Sequence, residues 1–297
     1  MKSRMALLLL LSFTLACRRP VEPPPGEEKS VPTEDQILSG GVARHFLLHV
    51  PPSYDGMPIP LVLNFHGYGS NSRQQENLSG MSQKADEVGF IVVYPDGLAS
   101  YPQSVKQAWY TGPGGQGDAD RQFMRDLIDH LEDRYTIDPK RIYATGISNG
   151  GEMTDRLACD LSDVIAAVAP DAGAYNFWEN CGPSRPVPVL AFHGLDDAII
   201  PYTGNEPHAM TPSIETWAAA WAVRNECRSG PEISTPADTV TVRTWTDCGQ
   251  NADVILYTLE GHGHSWPGSA VMPPRITSQA VNATDLMWDF FTQHPMP

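Results

Sequence analysis

Basic residues are scarce in this chain. Twenty Lys and Arg stand against 35 Asp and Glu in 297 residues, a formal net charge of −15. A surface that acidic repels phosphate backbones and anionic headgroups, which argues against nucleic acid and against an anionic membrane face. It suits a soluble protein acting on neutral or extracellular material. Long apolar runs are lacking too. The run Met5–Leu11 is too short to span a bilayer as a stable helix. No C-x-x-C pair occurs, so a Cys-rich metal site is not expected. His262 and His264 stand at i and i+2, but no carboxylate or Cys cluster accompanies them as a ligand set. There is no internal repeat.

The front end reads as an export signal: Lys2 and Arg4, then the apolar run, then Thr14-Leu15-Ala16-Cys17. Loss of the two cations with the signal takes the charge from −15 to −17. The last four residues resemble a bacterial lipobox, in which the Cys takes the lipid. Leu sits one place late and Thr14 fills its slot, so a simple cut after Ala16 is the alternative. A lipid on Cys17 is thus the expected link to a membrane. Five cysteines in an exported protein leave one over. With Cys17 lipidated, Cys159, Cys181, Cys227 and Cys248 remain for two disulfides. Three pairings are possible. Nearest-neighbour pairing closes two loops of similar length, each contributing roughly 3 kcal/mol on the chain-entropy picture.

Residues 18–36 are rich in Pro, Glu and Lys and have little to bury, so a disordered tether is expected there. From Ile37 to the end no second such stretch occurs, which predicts a single domain over 37–297. Apolar runs bounded by turn residues predict strands at Phe46–Val50, Leu61–Phe65, Phe90–Tyr94, Arg141–Thr145, Ile165–Ala169, Val187–Phe192 and Val254–Leu259. Helices are expected over Phe123–Tyr135, Gln74–Val88, Gly150–Leu161, Ile214–Glu226 and Ser278–Gln293. Short, nearly continuous apolar strands alternating with helices imply an α/β fold: a mostly parallel sheet covered on both faces. Ligands in such sheets bind at the carboxyl ends of the strands.

At one such end stands Gly146-Ile147-Ser148-Asn149-Gly150. The pattern G-x-S-x-G alone is weak, arising by chance in about one chain in ten of this length. Its context is specific. The strand Arg141–Thr145 runs into it and a helical stretch from Glu152 runs out, as a nucleophile elbow requires. Glycines on either side let strand and helix approach closely while Ser148 takes a strained conformation. A serine hydroxyl needs a base, and the base an orienting carboxylate. In this fold class the chain order is Ser, acid, His. The strand Val187–Phe192 is followed by Asp196 and Asp197, and the strand Val254–Leu259 by His262 and His264. Local physics does not separate the members of either pair. The elbow rule places oxyanion donors on the backbone N–H groups of Asn149 and Tyr68. His66 and His193 read as loop-anchoring histidines. Trp109 and Trp266 are expected as walls of the substrate pocket.

Several segments together resemble the polyhydroxybutyrate depolymerase-like and feruloyl esterase-like secreted esterases of the α/β-hydrolase superfamily. They are Phe65-His66-Gly67-Tyr68-Gly69, Tyr94-Pro95-Asp96-Gly97, Ile137-Asp138-Pro139-Lys140-Arg141-Ile142-Tyr143, the elbow, His193-Gly194 to Pro201-Tyr202, and Gly263-His264-Ser265-Trp266-Pro267-Gly268. The resemblance runs from about Arg44 to the C-terminus. It implies an α/β-hydrolase fold and an acyl-enzyme ester hydrolysis without cofactor. It also implies Asp197 as acid and His264 as base, with Asp196 and His262 as runners-up. Feruloyl or acetyl esters of polysaccharides and short-chain hydroxyalkanoate polyesters all suit the family. No appended carbohydrate- or polymer-binding domain is visible, which favours small or soluble esters. A monomer is expected. A peptidase or thioesterase on the same scaffold and a non-catalytic lipoprotein binding module are the rival readings.

Overall fold

In the strands at the centre of the fold no residue is left for solvent. Every position of β3 (Ile59–Phe65), β4 (Ile91–Pro95), β8 (Ala167–Asp171) and β9 (Val189–Gly194) is buried. Strands buried on both faces belong in the middle of a parallel sheet. The computed structural model describes residues 31–100, 105–176, 181–204 and 211–297. The signal segment, Cys17 and the tether up to residue 30 lie outside the described residues.

Among the described residues ten strands form the main sheet. The others are β1 (Thr33–Ser39), β2 (Val42–His49), β7 (Ile137–Ile147), β10 (Ser229–Ala237), β11 (Val240–Thr246) and β12 (Val254–Leu259). Their order is β1-β2-β4-β3-β7-β8-β9-β12-β11-β10. The stretch from β4 to β12 is parallel, and antiparallel hairpins close each side. A small ribbon, β5 (Leu98–Ala99) with β6 (Gln107–Ala108), sits apart. Helices cover both faces. Leu61, Leu63 and Ile142 pack with Phe123 and Leu127 of α3 (Gly115–Glu132), Met153 and Leu157 of α4 (Asn149–Asp160), and Trp217 and Trp221 of α5 (Ile214–Arg224). On the other face Val62, Tyr143 and Phe192 pack with Met81 and Ala85 of α2 (Met81–Val88) and Met287 and Phe291 of α6 (Ala283–Gln293). The alternation of Leu61, Val62 and Leu63 between these cores is the two-residue period of a strand.

Four expectations need correction. The tether ends earlier than residue 36: Thr33 opens β1, which pairs with β2 in register Thr33↔Leu48 through Ser39↔Val42. Backbone hydrogen bonding to a neighbour orders a segment whose side chains offer little to bury. The helix expected over Gln74–Val88 is two, because Gly80 at φ 63° ends α1 (Ser72–Ser79) and begins α2. The last helix starts at Ala283, where the Asn282 side chain accepts a hydrogen bond from the Asp285 N–H at 3.2 Å. Strands β10 and β11 are unpredicted. Eight of the nine residues of β10 are exposed, so it carries no apolar period. Its Pro231 and Pro236 suit an edge strand bonded on one side only.

The cysteines pair with their neighbours, Cys159 with Cys181 and Cys227 with Cys248. The first ties the end of α4 to the segment entering β9. The second ties the end of α5 to the loop after β11.

Candidate active site

The end of β7 and the start of α4 meet at Ser148. Its backbone is at φ 58°, ψ −124°, a region that costs a non-glycine residue roughly 1–3 kcal/mol. Two hydrogen bonds hold it there. The Ser148 N–H donates to the Asp171 carbonyl at 2.9 Å, and the Ser148 carbonyl accepts from the Glu152 N–H at 2.9 Å. The flanking glycines are required by close approach. A Cβ on Gly146 would lie 2.7 Å from the Phe65 carbonyl oxygen, and one on Gly150 would lie 2.6 Å from that of His66. The loop after β3 therefore lies against the elbow. A Cβ on Gly67 would stand 3.3 Å from that of Ser148, so Tyr68 follows directly beside the serine. The first N–H groups of α4 have no acceptor within the helix, and the helix dipole adds partial positive charge there.

The loops that carry the candidate acid and the candidate base are joined to each other by backbone hydrogen bonds. Leu195 N–H donates to the Leu259 carbonyl at 2.9 Å, and Asp196 N–H to the His262 carbonyl at 3.1 Å. With those bonds made, Asp196 faces solvent and Asp197 turns inward, 4% exposed. Asp197 Oδ1 accepts from the N–H groups of Ile199 and Ile200 at 2.9 and 2.8 Å. Its Oδ2 is 2.7 Å from His264 Nδ1. Burial opposes charge on Asp197. The bond from His264 and the remaining donors outweigh it and hold the carboxyl below its ordinary range. His262 is committed elsewhere. Its Nε2 bonds the Ser265 carbonyl and its Nδ1 accepts from Ser278 N–H, both at 2.8 Å. Of the four candidates, Asp197 and His264 touch each other.

The two anchoring histidines hold loops. His193 Nε2 bonds the Ile200 carbonyl at 2.8 Å, and burial pushes its pKa down to about 4, so it is neutral at pH 7. His66 bonds the Gly67 carbonyl through Nδ1 at 2.8 Å and accepts from Gly97 N–H at 3.0 Å through Nε2. The two tryptophans do not offer the open faces expected of pocket walls. Trp109 is 3% exposed and Trp266 1%. The Trp266 indole donates to Thr284 Oγ1 at 3.0 Å and packs in the core with Met287. A buried polar tip with a partner and a ring among apolar neighbours is the ordinary state of a core Trp. Among the described residues no cluster of three or more His, Cys, Asp or Glu is arranged to hold a metal.

Sequence reasoning overlooked Asp171. Its carbonyl holds the elbow, and its carboxyl is fully buried, neither oxygen having a hydrogen-bond partner among the described residues. Burial first, and the nearby Asp197 charge second, push its pKa well up. The folded state therefore keeps a proton that the unfolded chain releases above about pH 4. Stability must fall as pH rises from there. Asp171→Asn, which cannot ionise, is expected to gain Tm relative to the parent as pH rises from about 4 to 8, by roughly 2–4 °C for each kcal/mol recovered. Thermal scans should show that gain shrinking as pH approaches 4, and a gain constant with pH would contradict a neutral Asp171. Nothing in its local sequence, Ala169-Pro170-Asp171-Ala172, marks it out.

Comparison with known proteins identifies the family. The model of the family described as Esterase PHB depolymerase matches residues 44–181. "Putative esterase NocK" of Nocardia uniformis subsp. tsuyamanensis is 30% identical over 333 residues, covering 96% of this chain and 94% of that one. Feruloyl esterase B of Piromyces equi is 32% identical over 265 residues. That match takes in 86% of this chain, which spans about half (46%) of the relative's length. Among solved structures, an acetyl xylan esterase from Aspergillus awamori superposes with a TM-score of 0.61 at 14% identity, covering 88% of this chain and 99% of that one. A likeness at that identity is one of fold, the α/β-hydrolase fold. With a relative matched along nearly its whole length and the family model running from β2 past the elbow and β8 to Cys181, the chain belongs to the PHB depolymerase-type family of esterases.

Proposed function

We propose that this chain is an exported serine esterase that cleaves carboxylic esters through a Ser148–His264–Asp197 acyl-enzyme route. Two observations support the reading: a serine in a strained elbow at the end of β7, and an inward carboxylate after β9 that stands 2.7 Å from a ring nitrogen of the histidine after β12. Since Nδ1 of His264 donates to Asp197, Nε2 is the nitrogen left to take the Ser148 proton. Ser148 Oγ then attacks the ester carbonyl. The oxyanion is met by the backbone N–H groups of Asn149 and Tyr68. His264 returns the proton to the leaving alkoxide, and water repeats the sequence on the acyl-enzyme.

The substrates proposed are soluble or short esters: feruloyl or acetyl groups on plant polysaccharide, or hydroxybutyrate oligomers. The two disulfides suit an oxidising compartment, so we place the protein outside the cell or in its envelope. A panel of methyl ferulate, acetylated xylan, hydroxybutyrate oligomers and matched thioester and peptide substrates tests the reaction class. Turnover of one or more oxygen esters, with the thioester and peptide analogues cut far more slowly, is the expected pattern. Turnover confined to thioesters or peptides would overturn it.

A further inference from the structure

We infer that Trp109 is a positioning residue that locks the two oxyanion donors of the proposed site into one rigid unit. The inference rests on the reading of Ser148 as nucleophile and of Asn149 and Tyr68 as backbone donors. Trp109 follows β6 and bridges the two loops that carry them. On one side its backbone N–H donates to Asn149 Oδ1 at 2.7 Å, and its carbonyl accepts from Asn149 Nδ2 at 3.0 Å. That two-point clamp grips the first residue of α4. On the other side its indole N–H donates to the His66 carbonyl at 3.0 Å, two residues before Tyr68. The His66 ring continues the chain to the Gly67 carbonyl and the Gly97 N–H. The indole ring is wedged edge-on against Phe65, centroids 5.2 Å apart at 81°, and tilted against His66 at 5.2 Å.

The indole bond is buried, where hydrogen bonds are stronger and hold geometry better, and the two bonds to Asn149 are partly buried. The path of the surrounding segment does not depend on the indole bond. Tyr110 N–H is held by Asp120 Oδ2 at 2.8 Å, Thr111 Oγ1 donates to Glu152 Oε1 at 2.7 Å, and the Gln107 carbonyl accepts from Gly69 N–H at 2.8 Å. Cutting the indole bond should therefore leave the fold and loosen the spacing of the donors. Oxyanion donors act only when they stand within hydrogen-bond reach of a charge that forms in the transition state. Loosening them should lower kcat and spare KM.

Trp109→Phe in the full chain removes the indole N–H and keeps a ring against Phe65. We expect kcat for p-nitrophenyl acetate to fall about 10-fold with KM within about twofold. Affinity for phenylboronic acid, which forms a tetrahedral adduct on the serine, should fall by a similar factor. Should that variant not fold, Asn149→Ala cuts the other end of the same brace and should give the same signature. The double variant should lose no more than about the larger single loss, because the brace is one unit. An unchanged kcat in the folded variant, or a loss carried by KM alone, overturns the inference. Activity retained in Ser148→Ala would instead overturn the underlying reading, so the two failures are distinguishable.

Discussion

Ser148→Ala is expected to lower hydrolysis of p-nitrophenyl acetate by at least about 10⁴-fold, with substrate binding and fold intact. The size follows from the geometry. Without the hydroxyl, a strained elbow, a helix N-terminus and an oriented imidazole remain, but no bond can form to the acyl carbon. What persists is the smaller contribution of the oxyanion donors and of binding. Stability should hardly change. Alanine meets the same steric cost as serine at φ 58°, and the two hydrogen bonds described at the elbow are made by the Ser148 backbone, which alanine keeps. Circular dichroism and a thermal scan beside the kinetics separate lost chemistry from lost fold. Full activity in a folded Ser148→Ala protein would remove Ser148 from the reaction.

The second large effect separates two neighbouring carboxylates. Asp197→Asn should cost about 10³–10⁴-fold in kcat, whereas Asp196→Asn should stay within about twofold of the parent. The amide that replaces the Asp197 carboxylate would keep an oxygen for the Ile199 and Ile200 N–H groups but turn its N–H₂ toward His264. That forces the imidazole to accept at Nδ1 and carry its proton on Nε2, where the serine proton must go. Asp196 is solvent-exposed, and it takes part through its backbone, whose N–H holds the His262 carbonyl. Steady-state kinetics of both variants on one ester make the comparison. Equal losses, or a larger loss at Asp196, would mean that the inward carboxylate is not the orienting acid.

Ser148 stands out in the sequence because a strand–turn–helix elbow is a local structure. Strand, glycines and helix all lie within about 20 residues, and each leaves its own period or composition. The central strands are legible for the same reason, being continuous apolar runs. Asp197 and His264 are harder. The choice between Asp196 and Asp197 depends on how the loop turns after β9, and that turn is set by hydrogen bonds to Leu259 and His262, more than 60 residues away. No local pattern records them, and resemblance to a family had to stand in. Strand β10 is invisible because an exposed edge strand has no apolar face to repeat. Trp109 and Trp266 show the limit of composition. An aromatic beside a proposed catalytic residue reads as a pocket wall, but whether its face is open depends on what packs over it.

Labelling with a fluorophosphonate, followed by peptide mass mapping, tests the central claim most directly. The reagent reacts with a serine only where a base and oxyanion donors activate it. We expect one adduct per chain, on the peptide that carries Ser148, formed in the wild-type protein and absent in Asp197→Asn on the same timescale. No adduct, or an adduct on a different serine, would contradict the assignment of Ser148 as an activated nucleophile.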